Sequence, residues 1–591
     1  MSTQVLTQSE IDSSAVSFAR SDEIHSRENN VELQHINVDP QTNLPSLSRL
    51  SSRHAVSEAP EPEIHDQTLR LPFRRLISAY LCLAAIYFIS SLDINSVATA
   101  LPAISKSLDA GNSITWTGTS YLMGQTAFQV LYGRLSDIFG RKPVLVTCVG
   151  FLILGDLLCG FAQTATWLYV CRALSGIGGG GISSLVAITV SDLVSMKDRG
   201  KYQGMLSGAI GLGSSTGPFI AASMLGRGRE GWRWIFWVPP ILAAACVLVM
   251  WRFLPLKPVT GRWQDKLRKI DWAGLAVAVV GMLFLLIPIN SGGNVWPWGS
   301  AIVISMLVLG GASVVLFVLV EKRFAKIPLI PLRLFSQTST AVLLLQSGLY
   351  NYVWQVDLYF LPVYFQTVRG YSPLQSATLC LPFLLVQSVT GVISGPLMSK
   401  LARFVSMTIK YCLPNYASRY DIMLHGGMII WVVGAGMKLL FTRTTPVGVP
   451  GSDSSSNLVK TPLKSPLDEI ANHHLALVAL QAHSKPQDRA VATSTRNLLR
   501  ALGSVIGMAI STAVQFAVMQ SALPASLPSA VRAQVIDGSW EMGQLGSEAW
   551  ESDILDAKMK GIRAVFTILV PLIGVCLVGG FFIPNTILKE D

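Results

Sequence analysis

Two residues of opposite charge stand inside apolar runs, where no water would solvate them. Asp93 lies in Leu92-Asp93-Ile94-Asn95, at the end of an apolar run over 75–95; Arg172 lies in Leu168-Tyr169-Val170-Cys171-Arg172-Ala173, within another over 166–190. An ionised side chain at bilayer depth costs about 2.5–3.5 kcal/mol on insertion scales unless a partner, carbonyls or water compensate it. Such a carboxylate faces a cavity or a partner, so Asp93 is a candidate proton carrier or substrate-pathway residue; the alternative is an interfacial cap of the next turn. Arg172 is a candidate cation tuning a carboxylate's proton affinity, or one half of a structural pair between helices. Gln125, Asn351 and Asp357 are further polar residues at span depth that could line a pathway, and Asp156 is one to which the sequence assigns no role. Tyr350, Trp354, Tyr359 and Tyr364 would suit an amphipathic substrate or, equally, an interfacial aromatic belt.

The elements that must hold these residues are membrane helices. A spanning helix needs ~20 mainly apolar residues. Thirteen such runs follow one another: 75–95, 114–134, 143–163, 166–190, 203–225, 233–254, 271–290, 300–320, 339–366, 376–398, 421–441, 496–518 and 563–583. Of 591 residues, 50% are hydrophobic and 14% charged, against about 25% charged in soluble proteins. The net charge of +11 does not point to nucleic acid, because Lys and Arg gather in short loops, Lys197, Arg199 and Lys201 among them. Every loop from an even- to an odd-numbered run is basic, which places those loops and the N-terminus in the cytosol.

Residues 1–70 are polar, lack apolar periodicity and contain no signal-peptide core, the pattern of a disordered cytosolic tail. The eight cysteines are scattered without a C-x-x-C pair, and are expected as packing residues rather than disulfides or metal ligands. Neither a G-x-x-x-x-G-K-[ST] loop nor a nucleophile–base arrangement in a soluble domain occurs. The expectation is therefore no ATP-driven pump, no enzyme and no cofactor.

The strongest motif joins the second and third runs. Tyr132-Gly133-Arg134-Leu135-Ser136-Asp137-Ile138-Phe139-Gly140-Arg141-Lys142-Pro143 reads as a tight cytoplasmic turn. Gly133 and Gly140 permit the turn and a close approach. Asp137 can pair with a loop arginine, Arg134 or Arg141, or with a helix N-terminus across the bundle, stabilising one of two conformations. In the fifth run, Gly213-Ser214-Ser215-Thr216-Gly217-Pro218 offers a small-residue face for backbone-to-backbone packing, with a proline to kink the helix.

The spacing G-R-L-S-D-x-x-G-R-K resembles the loop signature of the major facilitator superfamily. Leu92 to Pro102 looks like the L-D-x-x-x-V-x-x-A-L-P element of fungal fourteen-span drug:proton antiporters, Leu168 to Gly178 like their L-x-x-x-R-x-x-x-G-x-G element, and Gly213 to Ala222 like the antiporter signature, with Ala221-Ala222 in place of its last glycine pair. The family is related to vacuolar basic amino acid transporters.

The resemblance implies an all-α integral membrane protein of 13–14 spans: a six-helix half over 75–254, two extra central helices over 271–320, and a second six-helix half over 339–583. It implies proton-coupled export of drugs, toxins or secondary metabolites by alternating access, with protons, a small molecule and the lipid bilayer as partners, and a monomer in the cell membrane. Vacuolar uptake of basic amino acids, in the vacuolar membrane, is the alternative, as is a non-functional product of a disrupted gene. The last arises because 404–418 and 442–475 depart from the family pattern, leaving open whether the chain crosses the membrane within 442–482.

Overall fold

The structure, a computed structural model, describes residues 72–110, 113–114, 116–228, 230–254, 262–292, 296–324, 327–371, 375–376, 379–380, 392, 420–443, 476–537, 540 and 548–583. The expectations for the tail 1–70, for most of the run 376–398, for 404–418 and for 444–475 lie outside these residues.

The described chain is helical. The first half comprises α1 (Phe73–Leu108), α2 (Trp116–Ala127), α3 (Leu131–Phe139), α4 (Arg141–Gly160), α5 (Ala165–Leu193), α6 (Met196–Leu225) and α7 (Arg233–Phe253). A short α8 (Trp263–Arg268) leads to α9 (Trp272–Ser291) and α10 (Ala301–Arg323). The second half contains α11 (Arg333–Ser336), α12 (Thr338–Thr367), α13 (Tyr420–Lys438), α14 (Arg489–Ala522), α15 (Ser529–Asp537) and α16 (Glu551–Gly580). Among the described residues, eight helices are long and apolar enough to cross a membrane. Others, such as α6 with its Gly and Ser residues and α12 with Asn351 and Asp357, turn polar residues inward and need less apolar sequence.

Packing separates central helices from peripheral ones. α1 packs on α6 and α7, and α5 packs on α2 and α4; in the second half α12 packs on α14 and α16. The most apolar window of α5 is 78% buried, whereas that of α10 is 11% buried, so α10, with Val308 and Val315 exposed, presents a lipid-facing surface.

Three expectations are corrected. The motif 132–143 is not a turn throughout: α3 is helical, because Leu135 and Phe139, four residues apart, pack on the first-half core. The turn is confined to Gly140, whose φ of 97° is a left-handed conformation that glycine adopts freely. The second run is correspondingly split into α2 and α3. The first helix does not end near 95, since α1 continues to Leu108 and carries Asp93 in its interior.

The flanks of 444–475 lie on opposite faces. Thr442 accepts from the Tyr364 hydroxyl at the far end of α12 (2.8 Å), and Arg443 pairs with Asp556 at the start of α16 (3.1 Å). Gln481, by contrast, accepts from Arg199 on the basic face at the start of α6 (3.4 Å). α16 then returns to the basic face, where the Phe581 ring packs at a tilt against His425 (4.5 Å between centroids).

Candidate functional site

α1, α4 and α5 bring three charges together. Arg172 Nη1 donates to Asp93 Oδ1 and Oδ2 (3.0 and 3.1 Å) and to Asp156 Oδ1 (3.2 Å). Ser175, one turn along α5, donates to the same Asp156 oxygen (2.6 Å). Asp93 and Asp156 are 0% exposed and Arg172 is 1% exposed. The guanidinium lies over the Tyr121 ring, 4.5 Å from its centroid, which screens it further. Two carboxylates share one cation, so a single bound proton brings the cluster to neutrality. A cluster with that charge count can take up one proton.

The small-residue face of α6 sets the position of Asp93. A Cβ at Gly213 would meet Phe88 O at 2.5 Å, and one at Gly217 would meet Leu92 O at 2.9 Å. The two backbones therefore touch along the turn of α1 that leads into Asp93. Pro218 sits inside α6 directly after this contact.

A second cluster closes the basic face. Arg141 donates to Asp137 Oδ1 (2.6 Å), Ser136 Oγ (2.5 Å) and Asp192 Oδ2 (2.8 Å). Arg134 lies 3.9 Å from Asp137, donates to Pro328 O (2.7 Å) and reaches Asp488, ahead of α14, at 4.0 Å. Arg333 holds the other side of Asp488 (2.9 Å). Of the two expected partners for Asp137, the loop arginines are those it has. Burial pushes its carboxyl up from the ordinary range, while Arg141 and Arg134 oppose that shift. A Cβ on Gly133 would stand 2.8 Å from Ser494 Oγ, so α3 rests directly on α14. Asn497 of α14 donates to Ser184 of α5 (3.1 Å). The two halves thus meet along the basic face.

The remaining candidates stand apart from Asp93 and Arg172. Gln125 packs beside Gly180 of α5. Asn351 joins Ser504 and Arg500 of α14. Asp357 is held by Lys438 of α13. It stands 19 residues into α12, as Asp93 stands 20 residues into α1, so the first helix of each half carries a paired carboxylate at matching depth, in keeping with an internal repeat. Sequence reasoning left Asp156 without a role and passed over Asp192, Lys438, Arg496 and Arg500. These sit near the ends of apolar runs and look like interfacial anchors; only the position of Asp156, mid-run like that of Arg172, signalled otherwise.

Comparison with known proteins agrees with this architecture. The Major Facilitator Superfamily model matches residues 83–441. Citrate exporter 1 of Yarrowia lipolytica is 37% identical over 529 residues, 88% of this chain and 74% of that protein. Efflux pump dotC of Dothistroma septosporum is 32% identical over 419 residues, 71% and 67% of the two chains. Among solved structures, the human organic anion transporter MFSD10 (TETRAN) aligns with a TM-score of 0.54 at 15% identity, over 87% of this chain and 100% of that one. The proton:xylose symporter XylE aligns with a TM-score of 0.52 at 14% identity, over 88% and 98%. At such identities the structures speak for the fold alone. With a buried charge cluster, a loop signature resting on the opposite half, the matching family model and these relatives, the chain belongs to the major facilitator superfamily and is a multi-pass membrane transport protein.

Proposed function

We propose that this chain exports small organic compounds from the cytosol by alternating access, driven by protons moving inward through the Asp93–Arg172–Asp156 cluster. The observation that carries the reading is that one buried guanidinium serves two buried carboxylates. Relatives named as a citrate exporter and an efflux pump support export, and make citrate one cargo to test alongside drugs and secondary metabolites. The flanks of 444–475 on opposite faces support an intact second half over a disrupted product, with the C-terminus on the cytosolic side. One chain carries both halves, so a monomer suffices. Plasma-membrane placement follows from export; no observation favours the vacuolar alternative.

The test is export from cells expressing Asp93→Asn, Asp156→Asn or Arg172→Gln, with surface protein measured in parallel. Export should fall about a hundredfold or more for each change, from the lower end of the range for loss of a proton-transfer group upward, at normal surface abundance for the two Asn variants. Unchanged export by Asp93→Asn and Asp156→Asn would remove the cluster from the mechanism.

A further inference from the structure

The helices α9 and α10 lie at the edge of the bundle, their most apolar windows only 22% and 11% buried. Toward the basic face they leave a gap. A cavity of about 190 Å³ opens where Ala278 and Met282 of α9 and Phe317 and Glu321 of α10 meet both halves, at Val130 of the first and Leu498 of the second. An apolar cavity of about 150 Å³ takes one benzene ring, so this one has room for a ring and part of its neighbour. Val314, Val318, Leu332 and Phe335 also line it and are exposed on the lipid-facing surface. Entry is therefore from the bilayer.

Among the described residues, two lining side chains are polar. Ser313 is satisfied within α10, donating to Leu309 O (2.8 Å). Glu321, about two turns further on, is 6% exposed. Its Oε1 accepts from Leu329 N (2.9 Å), with Ile330 N close by. Its Oε2 has no hydrogen-bond partner among the described residues, a costly state for a buried charged oxygen. The cavity thus runs from an unused acceptor at the basic end of α10 to apolar walls one and two turns nearer the bilayer centre.

The walls decide which donor fits. An ammonium has three N–H donors, and two of them would be left facing apolar side chains. A phosphate carries the same sign of charge as Glu321. A single neutral hydroxyl satisfies the acceptor and adds no charge. A rigid ring body gives up less conformational freedom on binding than an acyl chain does.

We infer that this cavity is a sterol site. The sterol hydroxyl donates to Glu321 Oε2, the ring that bears it fills the cavity, and the remaining rings lie along Val318 and Val314 toward the bilayer centre. The occupant braces the closed basic face, because its walls belong to the elements that close that face. Val130 immediately precedes α3. Leu498 follows Asn497, which donates to Ser184 of the first half. The linker that Glu321 holds at Leu329 includes Pro328, whose carbonyl accepts from Arg134. None of this depends on the cargo or on the direction of its movement.

The test uses the purified full-length chain in phosphatidylcholine nanodiscs. The probe is a cholesterol analogue with a free ring hydroxyl and a photoactivatable diazirine, and crosslinked peptides are mapped by mass spectrometry. Crosslinks are expected on α9 and α10 and should be displaced by cholesterol. Cholestenone, which carries a carbonyl in place of the hydroxyl, should compete at least about tenfold less well, as loss of a hydrogen bond to a charged acceptor implies. Dioleoylglycerol and oleylamine should not compete. Glu321→Gln keeps an oxygen for Leu329 N but puts a donor in place of Oε2, so crosslinking should fall at least about tenfold. Ala278→Phe fills the cavity and should abolish it. In a protein carrying Ser494→Cys, cholesterol should slow maleimide labelling of the new thiol several-fold, and should not do so when Glu321→Gln is added.

Crosslinks confined to other helices, or unchanged in both Glu321→Gln and Ala278→Phe, overturn the site. Equal competition by cholestenone overturns Glu321 as the acceptor of the hydroxyl. Displacement by dioleoylglycerol or oleylamine at the concentration at which cholesterol displaces overturns a sterol as the occupant. Unchanged labelling of the Ser494→Cys thiol overturns the bracing of the basic face. Sterol binding of the expected pattern in a protein that exports nothing supports the site and removes only the exporter reading.

Discussion

Arg172 is the cation that two buried carboxylates of the first half share. It is buried with two carboxylates and a stacked tyrosine, and the consequences of altering each member differ in kind. Arg172→Gln leaves two carboxylates buried without a cation; loss of one partner of a buried pair costs about 3–5 kcal/mol, so thermal unfolding in detergent should begin at a clearly lower temperature. Ser175→Ala removes one hydrogen bond to a charged oxygen, worth about 1.5–3 kcal/mol, and should lie between that variant and wild type in the same measurement. Asp156→Asn leaves Asp93 and Arg172 as a neutral pair, so its midpoint should stay close to wild type while proton-linked transport is lost. The sequence made Asp93 and Arg172 visible because a charge inside an apolar run needs a partner, a cavity or the interface in lipid. Their pairing was one of two alternatives, and Asp156 could not be assigned, because nothing in a linear sequence says that α4 turns this carboxylate toward α5.

At the scale of elements, close contact between backbones governs the site. α6 lies on α1 through Gly213 and Gly217, and α3 lies on α14 through Gly133. The small-residue motif was legible as a packing face, though its partner helix was not. The loop motif was legible as a charge device, but its helical start was hidden by glycines that suggested a turn, and its partner Asp488 lies 351 positions beyond Asp137 in the chain. Gly133→Val would drive a side chain into Ser494 and hold α3 away from α14. In a protein carrying Ser494→Cys, a membrane-impermeant maleimide applied from the cytosolic side should then label the new thiol several-fold faster. Asp488→Asn, which removes the carboxylate shared by Arg134 and Arg333, should have the same effect more weakly. Equal labelling rates in all three backgrounds would mean that these contacts do not hold the basic face shut.

At the scale of the molecule, basic loops after the even-numbered runs led to the expected membrane orientation of the first ten runs, and long apolar runs showed most of the helices. What the runs could not show was the path after residue 442, because the polar stretch that follows carries no spanning pattern. The described contacts of Arg443 and Gln481 bear on that question directly, and a C-terminal tag should accordingly be accessible from the cytosol and protected outside. On the proposed function, the buried cluster is the point at which a proton gradient does work on cargo. The most direct measurement is proton movement in proteoliposomes that hold a pH-sensitive dye, with citrate added on the side of the basic loops. Wild type should move protons when cargo is added and move none without it, while Asp156→Asn and Asp93→Asn should bind cargo and move no protons. Cargo-dependent proton movement that persists in both variants would contradict the account, as would cargo movement in wild type with no proton movement at all.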